Sequence, residues 1–297
     1  MIENTLSLYA VDVALLPASG LYGEIPPNVK AVADKCHIYL IGLVPIVSLL
    51  NSYEKNGFLC IDVTVGTQKY ISGVKIPIPE GHSVVRNSNG VWLSDGDGKL
   101  YAHSVQELMR AVSHQISPLG FKVLYIGQAF GKDGSRAALD RLREHSTLQK
   151  IAVQGTAPRH RLELVLFGID SGNRLITEFN PFAVNTEDAT ARKRIKDGLD
   201  KLFDTSEAER VALYEAALIR YFQPEFNIMF KDSFPSTNQK LLNDCYQKDI
   251  KSLVAEIHFD DFPYQFFSEA ISMNWGHTAH FDLHDEESRK SFFSPFR

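Results

Sequence analysis

The segment "SEAERVALYEAALIRYFQPEFN", residues 206–227, restricts the fold more than any other stretch. Ser206 with Glu209 three residues later is a capping box, so a helix starts there, and Pro224 stops it after Phe222. Val211, Leu218 and Phe222 mark its apolar stripe. Glu215 lies at i+4 from Val211, i−3 from Leu218 and i−4 from Ile219, inside that stripe. A buried carboxylate costs free energy unless a cation or hydrogen bonds compensate it. The helix must therefore pack Glu215 either in a core ion pair with an arginine or at a site that brings in positive charge.

Two other segments can meet this helix. "KVLYIGQAF", residues 122–130, reads as a strand that spends Tyr125 and Gly127 where Val or Ile would pack better. "RLREH" places Arg141 and His145 at i, i+4, on one face of a helix expected from Arg136 to about Gln149 after the capping residue Ser135. Leu139 and Leu142 would seat that helix on a sheet. A cation beside an imidazole can hold a phosphodiester and manage a proton, although an exposed polar face is the commoner use of such a pair.

The rest of the chain reads as α+β. "GFLCIDVTV", "QKYISGVKIPI" and "GVWLS" are strands separated by turn residues, and "LELVLFGI" (162–169) is another. "PPNVKAVADKC" and "SVQELMRAVSHQI" are helices. "HIYLIGLVPIVSLL" is too short for a bilayer span and reads as buried strand and helix. The expected division is a β-rich module over 1–98, for target recognition or sensing, a mixed unit over 99–234, and an α/β extension over 235–297.

Charge and cysteine content narrow the setting. A net charge of −5 argues against a general nucleic-acid coat protein, yet Lys122, Lys132, Arg136, Arg141, Arg143, Lys150, Arg159 and Arg161 make the middle basic. A solvated helix face explains that charge equally well. The three cysteines show no metal-type pairing, which fits a reducing cytoplasm, and no signal peptide or membrane segment is expected. "WGHTAHFDLHDEE" places His277, His280, Asp282 and His284 close together, but a solvated tail is a commoner reading than zinc.

In order, "LYIGQA", "RLREH" and "EAALIRYFQPEFN" resemble the GIY-YIG nuclease superfamily, and the last segment resembles the incision domain of excision-repair endonucleases. The resemblance also extends to GIY-YIG restriction enzymes. It spans roughly residues 99–232 and implies a small antiparallel sheet flanked by helices and a metal-dependent endonuclease acting on DNA, with RNA not excluded. By resemblance, Tyr125 aims at the reacting phosphate or its water, Arg141 stabilises phosphoryl charge, and His145 handles a proton or orients the tyrosine. Glu215 would hold one Mg²⁺ or Mn²⁺, Gly127 would let substrate or backbone come close, and Asn227 would bind phosphate or fix the fold. Lys132, Arg136 and Arg143 join the substrate-binding set, and Arg136 competes with Arg141 for the arginine role. The family's first tyrosine is absent just before Tyr125, where "ISPLGFKV" stands. Tyr101 in "GKLYAHS" is the expected replacement, ahead of Trp92, whereas "HIYLIG" (37–42) resembles the motif but lies far away and reads as core. Restriction or phage defence is the expected setting, with a homodimer or partner protein engaged through the first module. The alternative function is a GIY-YIG fold kept as a nucleic-acid-binding or assembly module with little catalysis.

Overall fold

The computed structural model describes residues 4–67, 69–87, 90–101, 105–115, 118–129, 138–154, 157–170, 174–177, 206–229, 252–283 and 287. Its organising strand is β2 (Ile38–Pro45), whose run "IYLIGLVP" is buried on both faces. β2 lies between β9 (Leu119–Gln128) and β10 (His160–Ile169) and pairs antiparallel with each. Next to β10 comes β1 (Asn4–Pro17), then β12 (Ser252–Ile257) and β14 (His277–Asp282). β13 (Tyr264–Phe267) closes the other edge against β9, and β11 (Arg174–Thr177) pairs with β1, giving an eight-stranded sheet.

Alternation along β2 separates two cores. Ile38, Leu40 and Val44 join one cluster with α2 (Val105–Gln115) and α5 (Glu207–Phe222). Tyr39 and Ile41 join the other with α3 (Ala138–Arg143) and α4 (Ser146–Gln154) and with residues around α1 (Pro27–Ala33). α5 forms as expected: the reciprocal Ser206–Glu209 capping box is present, and Gln223 ends the helix in the left-handed region before Pro224. α6 (Glu225–Met229) follows at once.

Between β2 and β9 the chain builds two three-stranded sheets. The first comprises β3 (Val47–Lys55), β4 (Phe58–Val65) and β5 (Lys69–Pro77). The second comprises β6 (Ser83–Asn87), β7 (Gly90–Ser94) and β8 (Leu100–Tyr101).

The mixed class is as read from the sequence, but the architecture differs in four ways. β1 and β2 belong to the same sheet as β9 and β10, so the expected boundary at 98/99 does not separate the sheets. The sheet is neither small nor wholly antiparallel, because β13 joins β9 and β12 joins β1 in parallel. "HIYLIGLVPIVSLL" supplies two strands rather than a strand and a helix. The single helix expected over 136–149 is two, α3 and α4, broken before Ser146.

Candidate functional site

β9 begins with Leu119, Phe121 and Val123 facing the α5 core. Uninterrupted alternation would send Tyr125 the same way. Instead the β2–β9 register slips: Gly42 opposes Val123 while Ile41 opposes Tyr125, leaving Leu124 as the extra residue of a β-bulge. A bulge re-aims the side chains beyond it. Tyr125 therefore turns to the α3–α4 core while Ile126 faces the α5 core.

Beyond the bulge, Tyr39 stands directly opposite Gly127. The Tyr39 ring covers that glycine: a Cβ built at Gly127 would lie 2.5 Å from Tyr39 Cζ, closer still to its hydroxyl oxygen, and 2.9 Å from Tyr125 Cε1. The space expected for substrate is thus occupied by a ring. Tyr39 and Tyr125 stack at 6.3 Å between centroids, and His145 sets its ring edge-on to both, at 5.6 and 5.2 Å. Each such aromatic pair stabilises by roughly 0.5–1.5 kcal/mol beyond its buried area.

Arg141, near the end of α3, donates from Nε to Tyr39 Oη at 3.4 Å. Burial and the neighbouring Tyr125 push the Tyr39 hydroxyl well above the usual phenol range, against the pull of Arg141. His145 is the N-cap of α4, because its Nδ1 accepts the Leu148 N–H at 3.3 Å. That acceptor role puts the proton of the neutral ring on Nε2. Burial first, and then the Arg141 charge, lower the His145 pKa to about 4, so the ring is neutral near pH 7 and offers one N–H donor.

Glu215, on α5, is near enough for its charge to act on Arg141 and Tyr39. Burial raises its pKa to about 8, opposed by Arg141 and by hydrogen bonds from the backbone and side chain of Gln128. Gln128 ends β9 opposite Ile38. β13 covers the outer edge of β9 only over Leu119–Lys122. Farther along, the Asn227 amide takes the place of a strand: Ile126 N–H donates to its Oδ1 at 2.8 Å, and its Nδ2 donates to Ile126 O at 2.9 Å. Asn227 thus holds α6 against β9, which is the fold-fixing half of its expected role, and its amide is engaged by backbone rather than offered to phosphate.

Among the described residues no group of three His, Cys, Asp or Glu side chains gathers as a metal cage. A single carboxylate nevertheless suits Mg²⁺ or Mn²⁺. Mg²⁺ keeps several waters and binds through one or two carboxylates plus phosphate oxygens.

No family profile matches this chain, and no curated protein or solved structure matches it significantly.

Of the sequence-derived set, Tyr125, His145 and Arg141 gather around Tyr39, and Glu215 is near enough for its charge to act on Arg141 and Tyr39. Tyr101 lies in β8, which pairs with β7 so that Tyr101 opposes Leu93, whereas the strand beside Tyr125 is β2. The tyrosine that stacks on Tyr125 is Tyr39, from the "HIYLIG" segment read as core; it is core, and it is also the neighbour of Arg141. Arg143 turns away, donating from Nε to Leu21 O at 3.2 Å and pairing with Asp140 at 3.1 Å. Lys132 and Arg136 lie outside the described residues, as does His284. His277 is a buried strand residue, with Nε2 against Phe266 O at 2.9 Å and Nδ1 against Tyr221 Oη at 3.2 Å, rather than part of a solvated tail.

Proposed function

We propose that this chain is a metal-dependent endonuclease of GIY-YIG type that hydrolyses DNA phosphodiester bonds at the Tyr39–Tyr125–Arg141–His145–Glu215 group. One observation carries the reading. The strand bearing "HIY" and the strand bearing "YIG" are antiparallel neighbours, and their tyrosines stack within one group that also holds an arginine, a neutral histidine and a carboxylate. The two segments are about 80 residues apart in the chain and resemble adjacent halves of one motif.

The chemistry follows from the donors. The Arg141 guanidinium stabilises negative charge growing on the phosphoryl oxygens. Tyr39, whose oxygen is held by Arg141, orients the attacking water in line with the leaving oxygen, and Tyr125 lies beside it. His145 donates through Nε2–H to a phosphate or phenol oxygen. Glu215 holds Mg²⁺ or Mn²⁺, which when bound neutralises charge on the leaving oxygen.

A second reading, a GIY-YIG-like module that binds nucleic acid or organises an assembly with little catalysis, is favoured by burial. Tyr39 has no exposed surface, and Glu215 is only 7% exposed. Nicking of supercoiled DNA with Mg²⁺ or Mn²⁺, compared between wild type and Glu215→Gln, separates the two; a single-stranded RNA arm tests substrate class. The nuclease reading expects metal-dependent nicking that falls at least about 100-fold in the variant. Equal nicking by both proteins, or none by either, refutes it.

A further inference from the structure

We infer that a cleft near the β14 edge of the large sheet binds the guanidinium or amidinium group of a ligand, which Glu256 holds beside the ring of Tyr9.

Strand order builds the cleft. β12 lies between β1 and β14, with Tyr9 opposite Glu256 on one side and Thr278 opposite it on the other. Leu8, Ala10, Ala255, Ile257 and Ala279 take one face of these strands and join the α5 core. Alternation turns Tyr9, Glu256 and Thr278 to the other face, with His258 two residues beyond Glu256. Together with Gly276 and His277 they line a cleft of about 490 Å³, within the usual range of small-molecule sites. β1, β10 and β2 stand between β12 and β9. The cleft is therefore four strand spacings, about 19 Å along the sheet, from the strand that carries Tyr125.

The lining selects the charge of the ligand. Among the described residues Glu256 is the only carboxylate that lines the cleft, and no lysine or arginine does. His258 Nε2 lies 3.4 Å from Asp260 Oδ1, so a carboxylate offsets any charge that this imidazole gains. The His277 ring is turned away and packs on Tyr221 and Phe222 of α5. An anion finds no lasting counter-charge here. One carboxylate and one imidazole also fall short of a metal cage, and no such cage occurs among the described residues.

The anchoring of Glu256 selects the shape of the cation. Its carbonyl accepts from Tyr214 Oη, and Thr278 Oγ1 donates to its Oε1 at 3.5 Å. The carboxylate keeps lone pairs on both oxygens for a planar fork of N–H donors, and the Tyr9 ring offers a π face to the same cation. Gly276 keeps the wall beside His258 open, because a Cβ there would lie 3.2 Å from His258 Nδ1.

Titration of the full chain with benzamidine, benzamide and benzoate, followed by NMR, compares a cation with neutral and anionic molecules of the same shape. Benzamidine should saturate by about 10 mM, and the other two should bind at least about 10-fold more weakly. Glu256→Gln should weaken benzamidine at least about 10-fold and Tyr9→Leu about 3–5-fold. The Glu256 side chain is exposed, so Glu256→Gln should keep the wild-type urea midpoint. Agmatine and N-acetylarginine amide, used as competitors, distinguish the source of the group. Displacement by agmatine alone supports a free small cation, and displacement by N-acetylarginine amide supports an arginine side chain. Displacement by neither overturns the guanidinium assignment. Absence of benzamidine binding, equal binding of benzoate, or wild-type affinity in Glu256→Gln overturns the site.

Discussion

The juxtaposition of Tyr39 with Gly127 can be tested without any activity. In Gly127→Ala the new methyl group would sit 2.5 Å from Tyr39 Cζ and 2.9 Å from Tyr125 Cε1. The Tyr39 ring has nowhere to retreat: it is fully buried, His145 packs edge-on to it at 5.6 Å, and its hydroxyl is tied to Arg141. Overpacking of this kind costs about 1–3 kcal/mol. The backbone at Gly127 is not left-handed, so alanine adds no φ strain there. Alanine also stiffens the unfolded chain, which returns about 0.4–1 kcal/mol. A net destabilisation of roughly 1–2 kcal/mol follows.

Tyr39→Leu removes the Cζ and hydroxyl atoms that the methyl group would strike. In that background Gly127→Ala should be neutral or slightly stabilising, although Tyr39→Leu carries its own cost. The four proteins of this cycle, unfolded in urea at one pH, should give a coupling of at least about 1 kcal/mol. An equal cost of Gly127→Ala in both backgrounds would refute the opposed register of Tyr39 and Gly127.

Three further outcomes are expected. Asn227→Ala strips the Ile126 N–H and C=O of their partners and should cost about 2–4 kcal/mol, with hydrogen exchange at the Ile126 amide accelerated. Glu215 is raised from its ordinary 4.5 to about 8, so the native state holds a proton that the unfolded chain has released; stability in EDTA should fall as pH rises from 6.5 to 8, and Glu215→Gln should remove that slope. The opposite slope from His145, lowered from 6.5 to about 4, lies below pH 6.5 and leaves the diagnostic window clear. In nicking assays Tyr39→Phe should lose about 100-fold or more while Tyr101→Phe stays within about twofold of wild type, and the reverse ranking would return the role to Tyr101.

What could be read from the sequence was local. The Ser206–Glu209 box and Pro224 bound a helix through side-chain hydrogen bonds and a lost N–H, so α5 and the burial of Glu215 were legible. The break between α3 and α4 was not, because Leu139, Leu142 and Leu148 continue an apolar pattern across it. It depends on the His145 ring capping Leu148, a use of histidine that no spacing announces. The C-terminal strands were obscured by His277, His280, Asp282 and His284, whose spacing suggested a solvated tail although Ile257, Ala279 and Leu283 are buried. Tyr39 was hidden for a different reason. Its partner is chosen by sheet register between distant segments, and register is a property of the assembled sheet.

That separation has a physical explanation in where the aromatic group sits. Tyr39 is the second residue of β2, and Gly127 is the second-last residue of β9. The chain between them leaves at Pro45 and returns at Leu119, at the opposite end of the strand pair. Six residues of strand, about 20 Å, lie between Tyr39 and that exit. A long connection there leaves the pairing of Tyr39 with Gly127 untouched. Closing a loop of roughly 70 residues instead of a short hairpin costs about 0.6 kcal/mol per doubling of length, or roughly 2–3 kcal/mol in all. The two small sheets order much of that segment themselves, and α2 anchors it: Gln115 Oε1 accepts from the Lys75 N–H at 3.0 Å, while Met109 and Val112 enter the α5 core. The cost is therefore met by packing at the far end of the strands. The two tyrosines can be far apart in sequence and still stack because the strand ends that carry them are not the ends from which the intervening chain leaves.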